Sequence, residues 1–178
     1  MTADTGWRGH AVLQIGVPPL ESWIVARTRH YDARFVSDDP RFQHAHITIL
    51  APLHRWDEAA LTELARSTRP FDFTLNELAV FADGCVYLRP EPEAVFRRLT
   101  AAAQAAHPDV VPFGAPTPVP HLTLDRLAAD VTLASTRVLL AGMLPTRCRA
   151  EALELVWYQT GNCHLIRRWA FGQAQDTA

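Results

Sequence analysis

The chain carries two copies of one short pattern, and other features recur at nearly the same offset. The pattern reads HITI from His46 to Ile49 and HLTL from His121 to Leu124, which places the two histidines 75 residues apart. Four further pairs of identical residues are 77 apart: Glu77 and Glu154, Leu78 and Leu155, Gly84 and Gly161, and Leu88 and Leu165. Single tetrapeptides arise easily by chance, but this shared spacing indicates an internal duplication.

Each half has the same predicted order of a motif strand, a helix and a hairpin. Amphipathic patterns predict the helices over 56–67 and 130–144, with Asp57 and Glu58 near the first helix start and Asp130 as the N-cap of the second. The hairpins, over 77–88 and 154–165, should turn near their shared glycines. A further strand is predicted over 11–17, and further helices over 18–32 and 91–106.

This order predicts an α+β, bilobal duplicated fold. We expect two antiparallel sheets with outer helices, related by a pseudo-twofold axis, and a cleft between the lobes in which the motif strands lie side by side. With 178 residues, 48% of them hydrophobic, the chain can bury one good core. We therefore expect one domain over residues 8–174, with short flexible tails at 1–7 and 175–178.

The two motifs present chemically useful side chains on one face of each strand. Successive residues of a strand point to opposite faces, so His46 projects with Thr48, and His121 with Thr123. An imidazole exchanges protons near neutral pH, and a hydroxyl can donate a hydrogen bond to an oxyanion. The pair of motifs therefore predicts an active site built from two histidines.

Composition excludes several classes of function. The net charge is −2, which is not the footprint of a protein that wraps DNA or long RNA. The sequence contains no lysine, which excludes a Walker A site, a Schiff base and a ligase chemistry through a lysine-bound nucleotide. The three cysteines lack CxxC spacing and are expected to be reduced thiols. With no apolar run of membrane-spanning length and no signal-peptide core, we expect a cytoplasmic protein that does not engage a membrane.

The paired HxTx motifs, with Pro120 before the second motif and Arg126 after HLTLD, resemble the 2H phosphoesterase superfamily and, within it, the 2'-5' RNA ligase-like family. The resemblance runs from about Ala11 to Phe171. It implies an enzyme without metal or cofactor that hydrolyses 2',3'-cyclic phosphates, or related cyclic or 2'-5' phosphodiesters, of nucleotides or RNA ends. It also implies His46 as the acid on the leaving O3', His121 as the base for water, and a 2'-phosphate product. Thr48 and Thr123 would hold the non-bridging oxygens.

Three further residues are candidates for substrate binding. Arg126 follows the second motif and either binds a phosphate or forms an ordinary surface ion pair. Phe113 and Tyr158 can stack on a base, although aromatic residues in strands more often belong to the core. Since neighbouring strand residues face opposite sides, at most one of Trp157 and Tyr158 faces the cleft.

Alternative functions remain open at this stage. The fold also suits a reversible 2'-5' RNA ligase or a non-catalytic nucleotide-binding module. Another possibility is an HxH metal site of His44 and His46, completed by His54 or His121, but this leaves the threonines and the second motif unexplained. The natural substrate stays open among cyclic nucleotides, RNA ends, ADP-ribose cyclic phosphate and specialised metabolites. We expect a monomer whose substrate is small or terminal.

Overall fold

Two antiparallel sheets of four strands each make up the architecture of residues 8–113 and 117–172, which the computed structural model describes. The predicted tails, and residues 114–116 of the loop before the second motif, lie outside the described residues. The strands are β1 (His10–Gly16), β2 (His46–Leu53), β3 (Phe71–Val80), β4 (Cys85–Glu91), β5 (Leu122–Arg126), β6 (Thr146–Ala150), β7 (Ala152–Tyr158) and β8 (His164–Ala170). The helices are α1 (Glu21–Asp32), α2 (Glu58–Ser67), α3 (Glu93–Ala106) and α4 (Leu133–Leu139).

The two sheets have matching strand orders, β2-β1-β7-β8 and β5-β4-β3-β6. Each motif strand is therefore the outermost strand of its sheet, and β2 and β5 contact each other. The hairpins are exchanged between the halves: β4 of the first hairpin pairs with β5, whereas β7 of the second pairs with β1. The duplicated α+β fold is confirmed, but each sheet combines strands from both halves of the sequence.

The start of α2 agrees with the capping residue that the sequence indicates. The Asp57 carboxylate caps α2 by accepting a hydrogen bond from the Ala60 N–H at 3.0 Å. The predicted first helix is a short 3-10 turn, Pro18–Leu20, followed by α1. Prolines suit such a position because their missing N–H has no partner in the first turn.

The second half departs from its predicted helix at both ends. Thr132, not Asp130, is the N-cap of α4 and forms a reciprocal capping box with Ser135. The helix ends at Leu139, and Gly142 follows with a φ of +84°, a backbone conformation that glycine adopts without strain. The predicted helix over 130–144 is therefore too long, and β6, which follows it, is absent from the sequence-based prediction.

A continuous hydrophobic core joins both sheets and fixes the orientation of the motif strands. Ile47 and Ile49 of β2 are buried in it, as are Leu122 and Leu124 of β5. Burying such an aliphatic side chain stabilises the fold by about 1.5–3 kcal/mol. A one-residue slip of either strand would expose these residues, so the core places the histidines and threonines on the opposite face.

Among the described helices, none has the length and apolar character needed to cross a bilayer.

Candidate active site

The two motifs meet in a cleft of about 480 Å³. His46, Thr48, His121 and Thr123 all line it. The alternation predicted from the sequence is thus present in both strands, since their apolar neighbours point into the core. The structure brings together the four residues that the motifs identified.

His46 and His121 are held by the same backbone contact. The Nδ1 of His46 lies 2.7 Å from the carbonyl oxygen of His44, and the Nδ1 of His121 lies 2.7 Å from that of Val119. A carbonyl only accepts, so each ring carries its proton on Nδ1 when neutral. Nε2 of each ring then carries the lone pair and is the nitrogen suited to exchanging a proton with a ligand.

His44 has a different role from its neighbour in the HxH triplet. Its Nδ1 donates to the Glu21 carboxylate at 2.7 Å, and its Nε2 accepts a hydrogen bond from the Ser37 N–H at 3.0 Å. Both ring nitrogens are therefore occupied by protein groups, and the side chain is buried. This leaves no lone pair on His44 for a metal ion, which removes the basis for an HxH metal pair with His46.

One face of α1 forms a wall of the cleft. Its lining residues follow helical spacing: Ile24, Arg27, Thr28 and Tyr31. Arg27 donates to the Asp125 carboxylate at 2.7 Å, and the Tyr31 hydroxyl donates to the same oxygen. Burial raises the pKa of Asp125, but the hydrogen bonds from Tyr31 and Arg27 outweigh it and lower the pKa overall. Asp125 is thus an ionised anchor for α1 at neutral pH.

The three predicted substrate-binding residues occupy different places. Arg126 lines the cleft, while its guanidinium donates to the Asp83 carbonyl at 2.7 Å. Tyr158 also lines the cleft, with its hydroxyl 3.3 Å from Nδ1 of His46, whereas Trp157 packs on the main core. Phe113 is not among the cleft residues: its side chain is 63% exposed and its ring packs edge-on against His10.

Burial dominates the electrostatics of both histidines. Desolvation lowers the pKa of His46 to about 4, opposed by its bond to the His44 carbonyl. Desolvation also lowers the pKa of His121, opposed by the Val119 carbonyl and Asp83. The two imidazoles are therefore both neutral near pH 7 in the ligand-free cleft. A bound anion would favour the protonated form of either ring.

Several cleft residues were missed by sequence reasoning. Asp125 directly follows HLTL and lines the cleft, but a bulge between Thr123 and Asp125 interrupts the pairing of β5 with β4, so simple alternation could not have placed it there. Arg27 and Tyr31 repeat at helical spacing on α1, but only the folded chain shows what that face meets. Cys85 lies on β4 with its sulfur 3.8 Å from the Thr123 hydroxyl oxygen, a contact between distant segments.

Comparison with known proteins agrees with this fold. The family described as the 2'-5' RNA ligase superfamily matches residues 17–162. Escherichia coli LigT complexed with 3'-AMP has a similar structure, with a TM-score of 0.57, 19% identity, and coverage of 93% of this chain and 99% of LigT. A structure described as a phosphoesterase gives a TM-score of 0.56 at 19% identity, covering 93% of this chain and 99% of its own. LigT complexed with NADP+ gives 0.55 at 18% identity, with 93% and 98% coverage. No curated protein matches the sequence significantly.

Proposed function

Because this chain belongs to the 2'-5' RNA ligase superfamily, we propose that it is a phosphodiesterase that opens cyclic or 2'-5' phosphodiesters of nucleotides or RNA ends. The observation that carries this proposal is the matched pair of histidines, each fixed through Nδ1 at 2.7 Å and both facing one cleft. Two such rings can act on opposite oxygens of one phosphorus. A 2',3'-cyclic phosphate is the substrate we put first.

The reaction is an in-line displacement at phosphorus. Nε2 of His121 takes a proton from water as the water oxygen attacks, the bond from phosphorus to O3' breaks, and Nε2 of His46 donates a proton to O3'. The product is a 2'-phosphate. Such general acid and base catalysis contributes roughly 10²- to 10⁴-fold in rate.

The lowered pKa of His121 suits its role as the base, whereas the lowered pKa of His46 must rise before this ring can act as the acid. A lowered pKa keeps His121 neutral and ready to accept a proton. His46 must carry a proton to act as the acid, and its pKa of about 4 applies to the ligand-free cleft. The negative charge of a bound phosphodiester favours the imidazolium and raises that pKa. Catalytic protonation of His46 is therefore coupled to substrate binding.

The hydroxyls of Thr48 and Thr123 would hold the non-bridging oxygens as charge develops on them. Arg126 and Tyr158 lie in the same cleft and are candidate contacts to the rest of the substrate. Phe113 has no support from the geometry as a base-stacking residue, since it lies outside the cleft lining. Nucleotides occupy the related LigT structures, 3'-AMP in one and NADP+ in another, which supports a nucleotide-sized substrate.

The test is a panel of 2',3'-cyclic mononucleotides, 2'-5' dinucleotides and RNA with a cyclic-phosphate end, with products identified by phosphorus NMR. We expect turnover of at least one member in the presence of EDTA, and no turnover by His46→Ala or His121→Ala. His54→Ala, which changes an exposed histidine outside the cleft, is the matched control and should be fully active. Full activity in either motif variant would contradict the mechanism, and nucleotide binding without turnover would favour a non-catalytic module. Joining of RNA ends with a 2'-5' bond would instead identify the ligase direction.

A further inference from the structure

Glu21 connects α1 to the two residues before the first motif by three hydrogen bonds, two of them from main-chain N–H groups. Oε1 accepts from the His44 N–H at 3.0 Å and from Nδ1 of the His44 ring at 2.7 Å. Oε2 accepts from the Ala45 N–H at 2.8 Å. As the first residue of α1, Glu21 also places its negative charge at the favourable end of the helix dipole.

These contacts fix the peptide that holds His46. The other nitrogen of the His44 ring accepts from the Ser37 N–H, and the Ala45 carbonyl accepts from the Val17 N–H at 2.7 Å. The segment is thus held on both sides. Its remaining acceptor is the carbonyl of His44, which receives Nδ1–H of His46 at 2.7 Å.

Among the residues that the structure describes, no carboxylate makes the equivalent contact at the second motif. Pro120 stands where the first motif has Ala45, and proline has no N–H for a carboxylate to bind. Pro118 and Pro120 flank Val119, and their fixed φ angles restrict the backbone that presents the carbonyl to His121. Within the described residues, the two halves therefore orient the same ring contact by different means: hydrogen bonds to a carboxylate in the first half and prolines in the second.

The carboxylate also affects the charge balance around His46. The titratable groups facing His46 are Glu21 on α1, His44 before β2, Tyr158 on β7 and His121 before β5. Burial raises the pKa of Glu21, but hydrogen bonds from His44 and Ala45 outweigh this, so Glu21 is ionised at neutral pH. Its charge raises the pKa of His46 against the effect of burial. Burial raises the pKa of the nearby Glu154, and the negative charge of Glu21 adds to that shift.

We propose that Glu21 is a positioning residue for His46, acting through the His44 main chain to orient the ring and supplying the negative charge that helps His46 hold its proton. It does not touch the reacting atoms. The inference rests on the proposed phosphodiesterase function. It also accounts for the difference between the two motifs, since Glu21 holds the backbone before the first and prolines restrict the backbone before the second.

The kinetic test is Glu21→Gln, which removes the negative charge and replaces one of the two accepting oxygens with an NH2 group. We expect kcat to fall roughly 10- to 100-fold, the range typical of residues that orient a catalytic ligand or side chain. KM should change little. The acid must be protonated, so activity falls as pH rises above its pKa. Loss of the carboxylate lowers that pKa and should move the high-pH limb of kcat downward by about 0.5 to 1 pH unit. A purely structural defect would lower the rate without moving this limb.

Two further variants sharpen the comparison. Glu21→Asp keeps the charge but shortens the side chain, so it should lower kcat while leaving the high-pH limb in place. Glu63→Gln removes an exposed carboxylate paired with Arg66 on α2 and should change neither. Were Glu21→Gln to be unfolded, the Asp variant would still test positioning, since wild-type kcat in that variant would overturn the proposal.

A spectroscopic readout separates this inference from the proposed function. Long-range proton–nitrogen spectra report the tautomer and titration of each imidazole in the ligand-free protein. In Glu21→Gln we expect the His46 ring to titrate at lower pH and to lose Nδ1–H tautomer, while His121 is unchanged. An unchanged His46 ring, together with wild-type kinetics, would overturn the role of Glu21 even if His46→Ala is inactive. Absence of any turnover by the wild-type protein would overturn the proposed function, and the spectra would still decide the role of Glu21.

Discussion

Arg27 and Asp125 form an ion pair at the cleft, with one guanidinium nitrogen 2.6 Å from Oδ2 and 2.7 Å from Oδ1 of the carboxylate. The side chain of Asp125 is 5% exposed and that of Arg27 is 24% exposed. The pair joins α1 to β5, which lie far apart in the sequence. It therefore holds a helix that carries cleft residues against the strand of the second motif.

We predict that Asp125→Ala destabilises the fold and weakens substrate binding. The change leaves the Arg27 charge without its counter-ion and the Tyr31 hydroxyl without its acceptor. Breaking a buried pair in this way costs about 3 kcal/mol or more, and the partial exposure of Arg27 places the expected loss near that lower value. Urea unfolding measures the loss in free energy of unfolding. A raised KM would report that α1, which carries cleft residues, has moved.

The matched control for this prediction is Asp72→Ala, which removes one of two ion-pair partners of Arg149, Glu151 being the other, on an exposed part of sheet β5-β4-β3-β6. Exposed pairs contribute about 0–1 kcal/mol, so this variant should unfold almost as the wild type does. Equal destabilisation by the two changes would show that the Arg27–Asp125 pair has no special importance.

The duplicated α+β fold was predictable because its signals are local. Alternation placed Ile47 and Leu122 in the core, and the glycines at the hairpin turns matched across the halves. The exchange of hairpins between sheets was not predictable, since strand partners are chosen by tertiary packing. The segment from Leu139 to Leu144 is apolar enough to continue a helix, and only Gly142 and Pro145 mark the end in the sequence. Strand β6 was missed for that reason.

The same distinction applies to the site. His46, Thr48, His121 and Thr123 were identified because each pair lies two residues apart in one strand. The cleft residues on α1 and the carboxylate of Glu21 were not identified, because only tertiary packing brings α1 next to the two motifs. Phe113 was selected only as an aromatic side chain able to stack on a base, and residue type alone does not bring a side chain to the cleft.

The hydroxyl groups of the motif threonines should be required for rate. We predict that Thr48→Val and Thr123→Val each lower kcat by about 10²- to 10³-fold, the usual effect of removing one donor to a developing oxyanion. Valine has nearly the same shape, so stability should change little at these cleft positions. The serine variants keep the hydroxyl and should retain most of the activity. Full activity in both valine variants would exclude the threonines as phosphate contacts.

His46 should make the protein less stable in mild acid. Its pKa is lowered from 6.5 to about 4 by burial, so between these values the unfolded chain binds a proton that the folded protein does not. Stability therefore rises with pH across this window and is lost as pH falls through it. We predict that His46→Gln, which removes the titrating ring, shows a smaller drop in melting temperature between pH 7 and pH 4.5. Thermal unfolding of both proteins over this range is the measurement, and parallel curves would contradict the assigned shift.

Alkylation of Cys85 should inactivate the enzyme. Its sulfur lies 3.8 Å from the Thr123 hydroxyl oxygen in the cleft, whereas Cys148 and Cys163 are buried. Burial raises the pKa of Cys85, with Asp83 adding to the shift and Thr123 opposing it. Because the thiolate is the reactive form, N-ethylmaleimide should act slowly at pH 7 and faster as pH rises toward 9. Mass spectrometry should find the adduct on Cys85, and Cys85→Ala should turn over substrate and resist the reagent. Inactivation of that variant at the wild-type rate would place the sensitive thiol elsewhere.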